Sequence, residues 1–198
     1  MLIYVITDRR LRPDLDPLDL MEQVARSGAD MMQVREKDLD AASLMSLARR
    51  AVGVAGAPVY VNRRADVAVA AGAVGVHLPA DGLPVGDVAS RWPGLRRGRS
   101  THSRQEAMAA EAAGAHFITC GPVFDTPSKR PFGPPLGLRV LRETAEAVRV
   151  PVIAIGGIHA GNVGQVAALP IAGVAMISAV ITAPDMMSAV ARVREAAA

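Results

Sequence analysis

Short apolar, β-branched runs alternate along this chain with longer Ala- and Leu-rich runs whose apolar positions recur at helical spacing. Residues 2–8 (LIYVITD), 31–36 (MMQVRE), 58–62 (PVYVN), 75–78 (GVHL), 97–101 (RGRST), 117–123 (FITCGPV), 151–157 (PVIAIGG) and 173–180 (GVAMISAV) read as strands. Each is followed by an amphipathic stretch, from LDLMEQVARSG after the first to a last helix starting near Pro184. Strands that are apolar on both faces and separated by helices imply a parallel sheet covered on both sides. Eight such pairs in unbroken series favour closure into a single (β/α)8 TIM barrel over an open sheet. Gly-Ala or Ala-Gly pairs before strands (Gly28-Ala29, Gly72-Ala73, Gly114-Ala115, Ala172-Gly173) supply compact turns in which Gly ends the helix.

At 198 residues the chain is near the lower limit for such a barrel, so one domain spanning 1–198 is expected. The longest gap, residues 125–137 (DTPSKRPFGPPLG), is rich in Pro and Gly and is a functional loop by its length. Half the residues are hydrophobic (51%), yet no apolar stretch reaches the roughly 18 residues of a membrane span. The formal charge is +3 and aromatics make up 3%, with basic residues scattered. A nucleic-acid surface would instead cluster its cations and interleave stacking rings, so neither nucleic acid nor membrane is an expected partner. The start, MLIYVITDRR, has no basic segment before its apolar run, and the lone Cys120 suits a reducing compartment. A cytoplasmic, soluble protein is expected, with oligomerisation left open by the sequence.

Active sites of such barrels lie at the C-terminal ends of the strands. AIGGI (154–158) places Gly156 and Gly157 after strand seven, where backbone N–H groups can receive a phosphate, with Ser178 on strand eight completing the usual anion site. QVREK (33–37) puts Gln33, Arg35 and Lys37 on one strand face by the period of two. Inward cations need an anion, either a ligand or neighbouring Glu36 or Asp38. No HxxxH, CxxC or clustered carboxylate pattern points to a transition metal. His77 and His102 read as orienting or packing groups before catalytic ones.

Taken in order, YVITD (4–8), QVREK (33–37), VNRRADVAVAAGAVGVHL (61–78), STHS (100–103), GPVFDTPSK (121–129), PPLGL (134–138), AIGGI (154–158) and MISAV (176–180) resemble the thiamine phosphate synthase/thiazole tautomerase (TenI-like) family over nearly the whole chain. The resemblance implies a (β/α)8 fold and a thiazole phosphate ligand. It implies that Thr126, Ser128, Gly156, Gly157, Ile177 and Ser178 bind the phosphate. In the synthases, positions matching Arg35, Lys37, Asn62, Ser100 and Lys129 receive an aminopyrimidine diphosphate.

This chain departs from both branches of the family. Synthases of this kind carry Asn-Asp where it has Asn62-Arg63, and an acid where it has Gly82, so both usual Mg²⁺ ligands are missing. Tautomerases carry a histidine where it has Pro122. The first expectation is therefore a metal-free, cofactor-free thiazole tautomerase acting on thiazole carboxylate phosphate, with His102 as acid/base. The alternatives are a thiamine phosphate synthase, with Mg²⁺ as its cofactor or Arg63 carrying part of that charge, and a non-catalytic thiazole-phosphate binder or regulator.

Overall fold

The computed structural model describes the backbone of all 198 residues and every side chain except those of Ser128 and Phe132. Eight parallel strands close into a barrel in chain order: β1 (Leu2–Ile6), β2 (Met31–Val34), β3 (Val59–Asn62), β4 (Gly75–Leu78), β5 (Arg96–Thr101), β6 (Phe117–Cys120), β7 (Val152–Ile155) and β8 (Gly173–Met176). Between them lie α1 (Pro17–Ala25), α2 (Ala41–Val54), α3 (Ala65–Ala70), α4 (Val85–Arg91), α5 (Arg104–Ala112), α6 (Gly137–Ala147) and α7 (Val163–Ala167). After β8 the chain forms the short α8 (Ser178–Ile181) and then α9 (Met186–Ala196). The expected (β/α)8 barrel is the fold observed.

Several strands end before the apolar pattern does. Residues 7–8, 35–36, 121–123 and 156–157 leave the sheet and form the mouth, and Ser178 opens α8 instead of standing on strand eight. The long loop after β6 also contains a 3-10 segment, Pro127–Phe132. Helix starts follow their local chemistry. Asp16 caps α1 ahead of Pro17, Asp40 caps α2 through two backbone N–H groups, and Ser103 caps α5.

Two apolar layers hold the barrel. The outer one joins strand and helix residues such as Val5, Val34, Val61, Leu20 and Leu141. The inner one fills the barrel with Tyr4, Ile6, Met31, Tyr60, Phe117, Ile153 and Ala175. Its three rings meet edge to face, with centroids 5.2 Å apart for Tyr60 and Phe117, 5.8 Å for Tyr4 and Phe117 and 6.1 Å for Tyr4 and Tyr60. Glycines on neighbouring strands make room for them. A Cβ at Gly75 would lie 2.5 Å from the Tyr60 ring, and one at Gly98 would lie 2.3 Å from the Phe117 ring. The interior is thus a packed plug whose upper surface is the floor of the mouth.

Candidate active site

The floor is a chain of polar groups on the aromatic plug. Gln33 Nε2 donates to the Tyr4 hydroxyl at 2.8 Å, the hydroxyl lies 3.4 Å from His77 Nδ1, and His77 Nε2 is 2.9 Å from Ser100 Oγ. The consistent direction is Tyr4 O–H to Nδ1, then Nε2–H to Ser100, which leaves the Ser100 proton available to a ligand. Burial, aided by Arg99 and Arg35, pulls the His77 pKa down to about 3, so the ring is a neutral relay of orientation. Thr119, also buried, completes this floor 3.4 Å from Ser100.

Above it, the ends of β1, β2 and β3 form a cationic rim. Thr7 Oγ1 donates to Glu36 at 2.7 Å and accepts from the Arg35 N–H at 2.9 Å, which ties the first two strand ends together. Glu36 is buried, and burial pushes its carboxyl pKa up against the opposing hydrogen bonds from Thr7 and the Arg9 N–H. The Arg35 guanidinium, mostly buried, stands 3.6 Å from Asp8. The Lys37 ammonium is exposed, and its pKa is drawn down first by Arg35, then by burial, Lys129 and Arg63, with Asp81 opposing. Three other cations, from the β2, β3 and β6 loops, therefore lie within reach of Lys37. Period two placed Gln33, Arg35 and Lys37 on one face, but β2 stops at Val34 and only Gln33 points into the barrel from a strand.

On the other side the chain leaves β7 through Gly156 (φ 103°) and Gly157 (φ 65°). A Cβ on Gly156 would lie 2.6 Å from Pro122 and 3.2 Å from Thr126 Oγ1, and one on Gly157 would lie 2.7 Å from the Asp125 carbonyl. The glycines are thus required by the β6 loop packing on them as much as by an open approach for an anion. Thr126 is held there, donating to Phe124 O at 3.0 Å. Ile177 precedes α8 and Ser178 is its first residue, so the Ser178 N–H has no partner one turn back. The backbone at Lys129 donates to Thr126 O at 2.8 Å, bringing the loop's cation to the same mouth. The Ser128 side chain, expected to bind phosphate, lies outside the described residues.

His102 is fixed from two sides. Glu106, one turn into α5, accepts its backbone N–H at 2.7 Å, and its Nδ1 donates to the Gly121 carbonyl at 2.6 Å. It therefore buttresses the start of the β6 loop, ahead of the cis Gly121–Pro122 peptide. Cys120 is fully buried, and burial pushes its thiol pKa to about 11, as suits a small hydrophobe.

The family model described as thiamine monophosphate synthase matches residues 3–180. The chain belongs to the thiamine monophosphate synthase (TenI-like) family. A thiamine-phosphate synthase of Methanoculleus marisnigri is 43% identical over 98% of this chain and 93% of its own length. One of Roseiflexus castenholzii is 41% identical over 93% and 82%. The solved thiamine phosphate pyrophosphorylase of Pyrococcus furiosus superposes with a TM-score of 0.90 at 33% identity, covering 99% of this chain and 95% of the other. These names overturn the tautomerase expectation, because they are those of a transferase. The isomerase's missing histidine, replaced by Pro122, agrees with that correction, and the acid/base role assigned to His102 falls with it.

Family members of the synthase kind imply Mg²⁺, and the residues here do not fit it. Asp81 is clasped by Arg63, Nη2 to Oδ1 at 2.6 Å, which lowers its carboxyl pKa further. Position 82 is closed as well, since a Cβ there would stand 2.9 Å from Pro79 Cδ and 3.0 Å from its carbonyl. Among the described residues no three His, Cys, Asp or Glu side chains come together as metal ligands. Among these residues no helix is long and apolar enough to cross a membrane.

Sequence reasoning missed Tyr4 and Thr119 as parts of the floor, and Glu36 as the buried link between strand ends. A hydroxyl inside an otherwise apolar strand (YVITD, FITC) was the available signal for the first two.

Proposed function

We propose that this chain is a thiamine-phosphate synthase, joining an aminopyrimidine diphosphate to a thiazole phosphate with release of pyrophosphate. The observation that supports this reading is that one mouth carries a cationic rim on one side and a turn of two positive-φ glycines on the other. In a ring of eight, β3 and β7 are diametrically opposed, so the cationic rim faces the glycine turn across the floor. A single phosphorylated substrate would use the turn and leave the cationic rim without an anionic ligand.

In this reading the turn at Gly156 and Gly157, with Thr126, Ile177 and Ser178, takes the thiazole phosphate. Asn62 at the end of β3, with Arg35, Lys37, Arg63 and Lys129, takes the diphosphate. Gln33 and Ser100 meet the pyrimidine ring from below, Ser100 oriented by the neutral His77. The bond between the pyrimidine's methylene carbon and the diphosphate oxygen breaks, its electron pair leaving on that oxygen. The lone pair of the thiazole nitrogen then forms the new C–N bond. No proton is transferred in either event, so the site needs charge stabilisation and alignment in place of an acid/base.

The test is incubation of the purified chain with both substrates, followed by separation of the products. Thiamine phosphate and pyrophosphate should appear in equal amounts. A reaction mixture that yields neither, with Mg²⁺ or with EDTA, would reject the synthase.

A further inference from the structure

The two positions where a divalent metal would find its carboxylates hold an arginine and a closed glycine, and the region around them is crowded with cations. We propose that Arg63, backed by Arg35, Lys37 and Lys129, holds the diphosphate of the substrate directly, without Mg²⁺. This rests on the synthase reading for the identity of the anion.

Arg63 is built in, not merely tolerated. It is the one non-glycine with positive φ (64°) in the described backbone, a conformation that persists in non-glycine residues only where the surroundings enforce it. Here its N–H donates to the His77 carbonyl at 2.8 Å, extending the β3–β4 ladder by one bond, and its side chain crosses to the β4 loop. There Asp81 Oδ1 accepts from Nη2 at 2.6 Å and the Asp81 carbonyl lies 3.4 Å from Nη1. Asp81 thus orients the guanidinium while occupying part of its five-donor fork. The Arg63 side chain is 46% exposed, so the rest of the fork is reachable from the mouth.

The charge balance points the same way. Arg10, Arg35, Lys37, Arg63 and Lys129 stand against Asp8, Glu36 and Asp81, an excess of positive charge suited to a diphosphate and hostile to a bare divalent cation. Arg35, Lys129 and Arg63 each lower the Lys37 pKa by repulsion, so Lys37 lies within reach of all three. Restoring a carboxylate at position 82 would require Pro79 to move, so the loop is shaped around the absence of that ligand. Planar guanidinium groups bind phosphate oxygens in pairs, and as fixed positive charge they can stabilise the electron pair arriving on the leaving oxygen.

Calorimetric titration of the full chain with inorganic pyrophosphate, in excess EDTA and in excess Mg²⁺, tests the proposal. Binding in EDTA should be at least as tight as in Mg²⁺, and Arg63→Gly should weaken it roughly 10- to 100-fold, the loss of one or two charge-assisted hydrogen bonds. Glycine accepts the positive φ, and retained thiazole phosphate binding in the variant shows that the mouth is intact. Arg63→Lys, which keeps charge but not the fork, should fall between. Pyrophosphate binding that appears only with Mg²⁺, or that Arg63→Gly leaves unchanged, overturns the proposal. Thiamine phosphate formed only when Mg²⁺ is present also overturns it while leaving the synthase standing. Metal-free, Arg63-dependent pyrophosphate binding without any thiamine phosphate formation supports the site and rejects the synthase.

Discussion

The glycine turn after β7 and the arginine corner after β3 face each other across one mouth and are made of opposite materials. The turn is backbone. Its form is fixed by Gly156 and Gly157, whose missing Cβ atoms let the β6 loop settle on them. The corner is side chain, with Arg63 strapped to Asp81 over a loop closed by Pro79. A backbone site tolerates almost no substitution, because any Cβ meets main-chain atoms. At the corner position 63 can exchange its charge on the same frame, whereas a carboxylate at position 82 would need Pro79 to move. That difference explains how a chain keeps the glycine turn while carrying Arg63 at a position where the resemblance implies an acid.

The contrast is broken most severely at the turn. Gly156→Ala must place a methyl group 2.6 Å from Pro122 at φ 103°, and should cost about 2–4 kcal/mol by urea denaturation, with weakened thiazole phosphate binding. Loss below that range would show that the β6 loop gives way and that the turn is less rigid than the corner.

Next comes the shared floor, whose effect is read per pH unit. The His77 pKa is near 3 when folded, against 6.5 when exposed, so below pH 6.5 the unfolded chain takes up a proton that the folded one refuses. Stability should therefore fall by about 1.4 kcal/mol per pH unit from this group as pH drops from 6.5 toward 3, and be fully present above 6.5. Urea melts at several pH values should show that slope in the wild type and a shallower one in His77→Gln. Equal slopes would mean that His77 is not held neutral.

At the corner the sign reverses. Arg63→Gly should raise stability by about 1 kcal/mol, because it relieves a left-handed backbone while losing only an exposed ion pair. A fall in stability would mean that Asp81 and Arg63 hold the β3 and β4 loops together. The smallest effect is expected for Asp81→Ala, with no measurable change in melting temperature but weaker pyrophosphate binding as Arg63 loses its orientation.

The barrel was legible because strand and helix periods alternate without interruption, and most strand starts fall within a residue of their expected positions. Five of the eight strand ends were not, since the same apolar-polar alternation runs past the last ladder bond. Thr7 illustrates it: its N–H still donates to Gln33 O at 2.9 Å, while its side chain already belongs to the mouth. The turn after β7 could be read because it depends on two glycines adjacent in sequence. The corner could be read only in part. The loss of two carboxylates is visible in the letters, but the positive φ of Arg63, its clasp on Asp81 and the closure of position 82 join residues up to eighteen apart. Glu36 was beyond reach for another reason. Nothing in the local pattern separates a buried acid with hydrogen bonds from a solvated one, and its partners Thr7 and Arg9 come from a different strand end.

The rings inside the barrel have a consequence for how this chain can drift. Gly98 and Phe117 are hydrogen-bonded neighbours in register, one empty and the other large, and so are Gly75 and Tyr60. Gly98 and Phe117 share one fixed volume, so neither can change size alone without emptying or overfilling the plug, whereas at Gly75 the Arg96 carbonyl, 2.4 Å from an added Cβ, blocks a side chain as well. A lineage would have to cross such a position by two steps, the first of them harmful. Mutant libraries that vary Gly98 and Phe117 one at a time should therefore return only losses, whereas a joint library should recover small-for-large exchanges such as Gly98→Ala with Phe117→Leu.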